Sequence, residues 1–264
     1  MRTVRSDDGT VIAYDSSGTG PALILVDGAM CTRVSGSKPE LDKLLSADFT
    51  VYSYDRRGRG DSGDTQPYAV EREIADIRAL ADAADGAAYL YGHSSGASLA
   101  LEAALALGGT IIRRLALYDA PYNDDPRAVQ AWRQYLADLT GLLADGRNGD
   151  AVARFMAYMG IPPGDIEGMR QGPGWASLHA VAPTLAYDHA AILGENGSVP
   201  AARAAHVAVP ALVLYGSAGA PFMADTARAL SAAMPHATLR GLDGQTHDID
   251  PAVLAPVLTE FFTS

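Results

Sequence analysis

Short, wholly apolar runs alternate with stretches in which apolar residues recur every three or four positions. The alternation holds over residues 1–121 and resumes after residue 207. Ala22-Leu23-Ile24-Leu25-Val26 is apolar throughout, as a strand buried on both faces requires. Residues 50–54, 88–91, 114–118 and 211–215 carry similar runs, and a short strand is expected at 237–240. Between them Val70, Ile74, Ile77 and Leu80 keep helical spacing, and further helices are expected over 222–234 and from Asp250-Pro251 onward. At the start, residues 3–5 and 11–14 flank Asp8-Gly9, a favoured hairpin turn pair. Strands followed by helices predict the α/β class, a mainly parallel sheet with helices on both faces. In such sheets chemistry gathers at the carboxyl ends of strands, where Asp27, Ser94 and Asp119 each follow an apolar run.

From 122 to 206 the alternation stops. Asp125-Pro126 opens a helix with a capping residue and a proline in the first turn, and Val129, Trp132, Leu136, Leu139 and Leu143 form its apolar face. A second helix follows Asp150 and ends at Gly160-Ile161-Pro162-Pro163. Gly172-Pro173-Gly174 breaks the chain again, and a last helical stretch covers 184–193. The pattern therefore divides the chain into a first core segment (1–121), an all-helical insertion folded over the rim (122–206) and a second core segment (207–264).

Composition narrows the function classes. A chain of 264 residues, 48% hydrophobic and 19% charged, suits one well-cored domain with an insertion. A net charge of −11 argues against nucleic acid or an anionic membrane as partner and leaves a small molecule. Cys31 is the single cysteine, so no internal disulfide forms. The first residues lack the apolar core of a signal peptide, and a cytoplasmic location is expected.

One stretch carries chemistry. Residues 88–101 read strand, Gly92-His93-Ser94-Ser95-Gly96, then an alanine- and leucine-rich helix. The turn needs a strained backbone, and glycines on either side of the serine remove side chains that would collide with it. Ser94 is pushed out at the end of a strand, above the positive end of the following helix. A serine hydroxyl needs a positioned imidazole to take its proton. Of six histidines, His247 sits in a loop after the last strand, whereas His93 lies inside the turn and is expected to point away from the rim.

With Asp55-Arg56-Arg57-Gly58-Arg59-Gly60-Asp61-Ser62 and Gly244-Gln245-Thr246-His247-Asp248, these residues resemble an α/β-hydrolase with a cap domain, over essentially the whole chain. The resemblance implies a helical cap inserted after the sixth strand, Ser94 as nucleophile, His247 as base and no metal or organic cofactor. Many relatives carry the acid three residues past the glycine that ends the penultimate strand, but that position here is Gly219. Asp119, after the strand that follows the nucleophile helix, is the candidate instead, and Asp225 lies too far along. In this placement, and in the Asp-Gly after the third strand, the chain is similar to zearalenone-type lactone hydrolases. A Ser-His dyad is the alternative. The oxyanion hole implied by the family uses the N–H of Ser95 and one from the loop after the third strand, Ala29 first and Gly28 second. Asp27 stands where relatives often have histidine, and a carboxylate there must turn away or be paired, Arg56, Arg57 and Arg59 being the candidates. The arginine loop itself is expected to be mainly structural, a solvated turn with local ion pairs, and Cys31 a small buried thiol.

In the insertion, Trp175, Met159 and Tyr187 are the candidate substrate-binding residues. The resulting expectation is a serine hydrolase of a small apolar ester or lactone. Hydrolysis of a C–C bond in a diketone-like substrate, or a ligand receptor on a hydrolase scaffold, are the alternatives.

Overall fold

A computed structural model describes residues 1–36 and 38–264. Eight strands form one sheet: β1 (Arg2–Arg5), β2 (Val11–Ser17), β3 (Ala22–Val26), β4 (Thr50–Tyr54), β5 (Ala88–His93), β6 (Ile112–Tyr118), β7 (Ala211–Gly216) and β8 (Ala237–Leu242). Their spatial order is β1-β2-β4-β3-β5-β6-β7-β8. The β1–β2 hairpin and the β2–β4 pair are antiparallel, and every pair from β4 to β8 is parallel. The apolar run of β3 is buried on both faces, Leu23 and Leu25 in one core cluster, Ile24 and Val26 in the other. Strand alternation thus splits the core into two layers.

On one side of the sheet pack α1 (Lys38–Leu45) and α10 (Pro251–Thr263); on the other lie α2 (Val70–Asp82) and α3 (Ser95–Ile111). Between β6 and β7 the chain is helical without strands: α4 (Pro126–Ala144), α5 (Asn148–Tyr158), α6 (Pro163–Arg170), α7 (Trp175–Val181) and the short α8 (Ala201–Ala204). Asp125 caps α4 by accepting from the N–H groups of Arg127 and Ala128. The stretch expected as a helix over 184–193 is instead a 3-10 turn, Ala182–Thr184, followed by a π-helical turn, Tyr187–Ile192. After β7, α9 (Pro221–Ala233) leads to β8. Among the described residues no helix is long and apolar enough to cross a membrane.

The arginine loop overturns its expectation. Arg56, Arg57 and Arg59 are 1%, 0% and 1% exposed, so the loop is a buried ionic cluster and not a solvated turn. Arg56 grips Glu73 with two bonds of 2.7 and 2.8 Å, and Arg57 grips Asp76 in the same way. Both acids lie on α2, on the side that also carries Ile77 and Leu80. Burying a guanidinium costs several kcal/mol unless it is paired and its N–H groups are satisfied, and here each finds carboxylate or carbonyl acceptors.

Candidate active site

Register brings the candidate residues to one rim. His93 pairs with Tyr118, and Tyr118 with Leu214, so Ser94 and Asp119 each stand one residue past a paired position on adjacent strands. Backbone bonds extend the ladder to them: Ser94 N–H donates to Tyr118 O at 2.9 Å, and Asp119 N–H to Leu214 O at 3.1 Å. Both residues adopt positive φ, 58° for Ser94 and 48° for Asp119. For Ser94 this is the strained elbow expected from the glycines around it. A Cβ on Gly96 would come within 2.2 Å of Val26 O, and one on Gly28 within 2.9 Å of Ser94 Cβ. No side chain fits at either place, which is how the β3 loop lies directly against the elbow.

His247 stands in the loop between β8 and α10, with its Nδ1 3.2 Å from Asp119 Oδ2. The carboxylate of Asp119 is wholly buried, and its other oxygen accepts the N–H of Gly216 at 3.3 Å. The imidazole is 36% exposed, so the ring faces an open side. An acceptor at Nδ1 keeps the proton there and leaves Nε2 free to accept one. Gly219 lies beside this pair. A Cβ built on it would be 3.9 Å from Asp119 Oδ2 and 3.8 Å from His247 N. The two alternative positions for an acid therefore converge on one spot. Asp225, by contrast, is exposed and bonded to Arg228.

Three consecutive carbonyls of the base loop are each held. Gln245 O accepts from Ala218 N–H at 2.9 Å, Thr246 O from the Tyr118 hydroxyl, and His247 O from His93 Nε2 at 3.0 Å. His93 was expected to point away; it reaches under the loop that carries the base. A carbonyl only accepts, so Nε2 of His93 carries the proton. Burial, with His247 nearby, pushes its pKa down to about 3 and keeps the ring neutral.

The oxyanion candidates lie opposite. Gly28 O accepts the Cys31 N–H at 3.4 Å across a turn whose third residue, Met30, has φ 62°. The N–H groups of Ala29 and Ser95 have no acceptor among the described residues. Asp27 is paired, but not by the arginines: its carboxylate meets the buried ammonium of Lys38, and Arg56 Nη1 reaches only its backbone O, at 3.2 Å. Lys38 lies eleven positions on from Asp27, at the start of α1, so the fold and not local sequence brings the two together. Cys31 is only half-buried, not the buried thiol expected; burial, and then Asp27, push its thiol up to about 11.

Asp188 was not anticipated. From the π-helical turn it accepts Arg56 Nη1 at 2.6 Å, Ser95 Oγ at 2.8 Å and Arg59 Nη2. Burial raises its pKa, but Arg56 and Arg59 outweigh burial and bring it to about 2. Arg59 also donates to Gly28 O at 2.7 Å and Thr184 Oγ1 at 3.2 Å. Of the three insertion candidates, Trp175 packs against the same small apolar cluster as Met30. Met159 ends α5 with 51% of its surface exposed. Tyr187 is buried, stacked on Tyr68 and bonded to Asp64 and Gln66, each at 2.6 Å. Its ring and hydroxyl join the insertion to the core. No three His, Cys, Asp or Glu side chains are grouped as metal ligands among the described residues.

The sheet order, with an elbow after β5 and helices on both faces, is that of an α/β-hydrolase fold, and sequence comparison agrees on the fold. Residues 28–257 match the model of the alpha/beta hydrolase family, and the chain belongs to that family. An alpha/beta hydrolase from Sphaerobacter thermophilus is 48% identical, over 99% of this chain and 100% of that one, with a TM-score of 0.86. An enol-lactonase from Burkholderia xenovorans shares 23% identity and a TM-score of 0.71 over the full length of both chains. An esterase from a Rhodococcus species shares 19% identity and a TM-score of 0.73, over 100% of this chain and 98% of that one. No curated protein matches the chain in sequence.

Proposed function

We propose that this chain is a serine hydrolase that cleaves a small, apolar carboxylic ester or lactone through an acyl-enzyme. The observation that carries the reading is the 3.2 Å approach of His247 Nδ1 to Asp119 Oδ2 on the rim where Ser94 holds its elbow conformation. Ser94 Oγ attacks the carbonyl carbon while His247 Nε2 takes its proton. The N–H groups of Ala29 and Ser95, both without another acceptor, hold the oxyanion. His247 then protonates the departing alkoxide. Water, deprotonated by the same imidazole, releases the acid and frees Ser94. In this reading the insertion over 122–206 is the cap, and Met30 and Trp175 supply its apolar wall.

The test is labelling with an organophosphonate serine probe, followed by intact mass, on wild type and on Ser94→Ala. One adduct on wild type and none on the variant is the expected result, and an ester and lactone panel then identifies the substrate class. An unlabelled, folded wild type would overturn the reading and favour ligand binding without turnover. A diketone-like substrate cleaved faster than every ester and lactone would move the chemistry to C–C hydrolysis by the same residues.

A further inference from the structure

Arg56, Arg59 and Asp188 sit outside the three-residue mechanism, yet their side-chain bonds beyond one another lead to the loop after β3, to Ser95, or to the helical turns around them. Arg59 Nη1 donates to Gly28 O at 2.7 Å, and Arg56 Nη1 to Asp27 O at 3.2 Å. A trans peptide is planar, with its C=O and N–H pointing in opposite directions. The carbonyl of Gly28 and the N–H of Ala29 belong to one peptide. A guanidinium fixed on that oxygen therefore aims the Ala29 N–H the other way and, by polarising the amide, makes it a stronger donor. On the second arm of the hole, Ser95 Oγ donates to Asp188 Oδ1 at 2.8 Å, holding the residue whose N–H is the other donor.

We propose that Asp188, through Arg56 and Arg59, is the positioning residue of the oxyanion hole: it sits in the π-helical turn of the insertion and locks the Gly28–Ala29 peptide and Ser95 in their orientation. The proposal rests on Ser94 being the nucleophile. Charge balance supports it. A lone carboxylate within bonding distance of Ser95 would oppose a developing oxyanion, but Asp188 shares its two oxygens between two guanidinium groups. Glu73 completes the charge of Arg56, so the cluster is neutral as a whole. The arrangement also joins insertion to core at the point where the reaction needs rigidity, since Thr184, in the preceding turn, bonds Arg59 as well. The adjacent pair Arg57–Asp76 is equally buried but touches neither Gly28 nor Ser95. It serves as an internal control for burial alone.

The experiment compares Asp188→Asn, Arg59→Lys and Asp76→Asn with wild type, using a p-nitrophenyl ester for kcat and KM and a trifluoromethyl ketone that forms a hemiketal oxyanion on the active serine. Asp188→Asn lowers kcat by on the order of a hundredfold with KM within about threefold. It weakens the ketone by a similar factor and leaves the pH profile of kcat in place, because the base is untouched. Arg59→Lys retains a charge for Asp188 without reaching Gly28 at the same time, shows the same kcat-only loss, and keeps the test valid if Asp188→Asn does not fold. Asp76→Asn lowers the melting temperature but leaves kcat near wild type. A kcat within about twofold of wild type in folded Asp188→Asn or Arg59→Lys, or an equal loss in Asp76→Asn, overturns the proposal. A wild type that the phosphonate fails to label would sink the nucleophile assignment instead, which keeps the two failures apart.

Discussion

Two side chains hold His247 from below, by different means. Asp119 accepts at Nδ1, which under the proposed mechanism sets the tautomer and stabilises the imidazolium. His93 holds the backbone, donating from Nε2 to the His247 carbonyl. Asp119→Asn exchanges an acceptor for an amide that favours the wrong tautomer, and kcat should fall by on the order of a thousandfold or more with little change in stability. Steady-state kinetics on the purified variant checks this, and near-wild-type turnover would leave a Ser-His dyad. The places of Ser94 and Asp119 at strand ends and of His247 in the loop after β8 were legible in the sequence, because the apolar pattern delimits those strands; the roles proposed for them came from the family resemblance. The part played by His93 was not legible. Its partner lies 154 positions away, and only the folded path of the β8–α10 loop brings the two together.

At the scale of elements, the strands and the core helices α2, α3, α9 and α10 follow from the sequence pattern, and so does an all-helical stretch between β6 and β7, whereas the short α1 carries no such signal. The arginine loop was misjudged because a run of arginine, glycine and aspartate is hydrophilic by composition. Its burial depends on acids supplied by α2 and by the insertion. A signal was present: Glu73 and Asp76 stand one helical turn before Ile77 and Leu80, on the stripe that faces the core. Acids on an apolar stripe call for buried cations, and three arginines stood nearby in sequence. The acid of the site raises a related question, whether it belongs to β6 or to β7. Because a Cβ at Gly219 would stand 3.9 Å from Asp119 Oδ2 and 3.8 Å from His247 N, with the Gly216 carbonyl at 3.2 Å, a carboxylate grown there reaches the same imidazole. Adding Gly219→Asp to Asp119→Asn should restore at least tenfold of the lost kcat. A double variant no faster than Asp119→Asn would show that the base loop accepts its acid from β6 alone.

At the scale of the whole molecule, two histidines, His93 half-buried and His189 buried, tie stability to pH. His93 lies beneath the base loop and His189 inside the insertion, its Nδ1 2.7 Å from the Tyr135 hydroxyl and its ring against Trp132 and Phe155. Burial pushes their pKa values down to about 3 and about 4, from a usual value of about 6.5. Below pH 6.5 the unfolded chain binds protons that the folded one refuses, so stability must fall as pH falls. The loss runs from about 6.5 toward the folded values, at up to about 1.4 kcal/mol per pH unit for each histidine. Above 7 both rings are neutral in either state and the effect disappears. Urea unfolding at steps between pH 7.5 and 5 should therefore show a plateau followed by a decline approaching about 3 kcal/mol per unit. His189→Gln retains an oxygen that can accept from Tyr135 but cannot be protonated in this range, so its decline should be about half as steep. A wild-type stability that stays flat to pH 5, or a variant as steep as wild type, would mean that these rings do not stay neutral in the folded state. Because His93 and His189 lie in the core and in the insertion respectively, a halved slope in a single cooperative transition would also mean that the two parts unfold together. The buried ionic cluster that joins them predicts that behaviour.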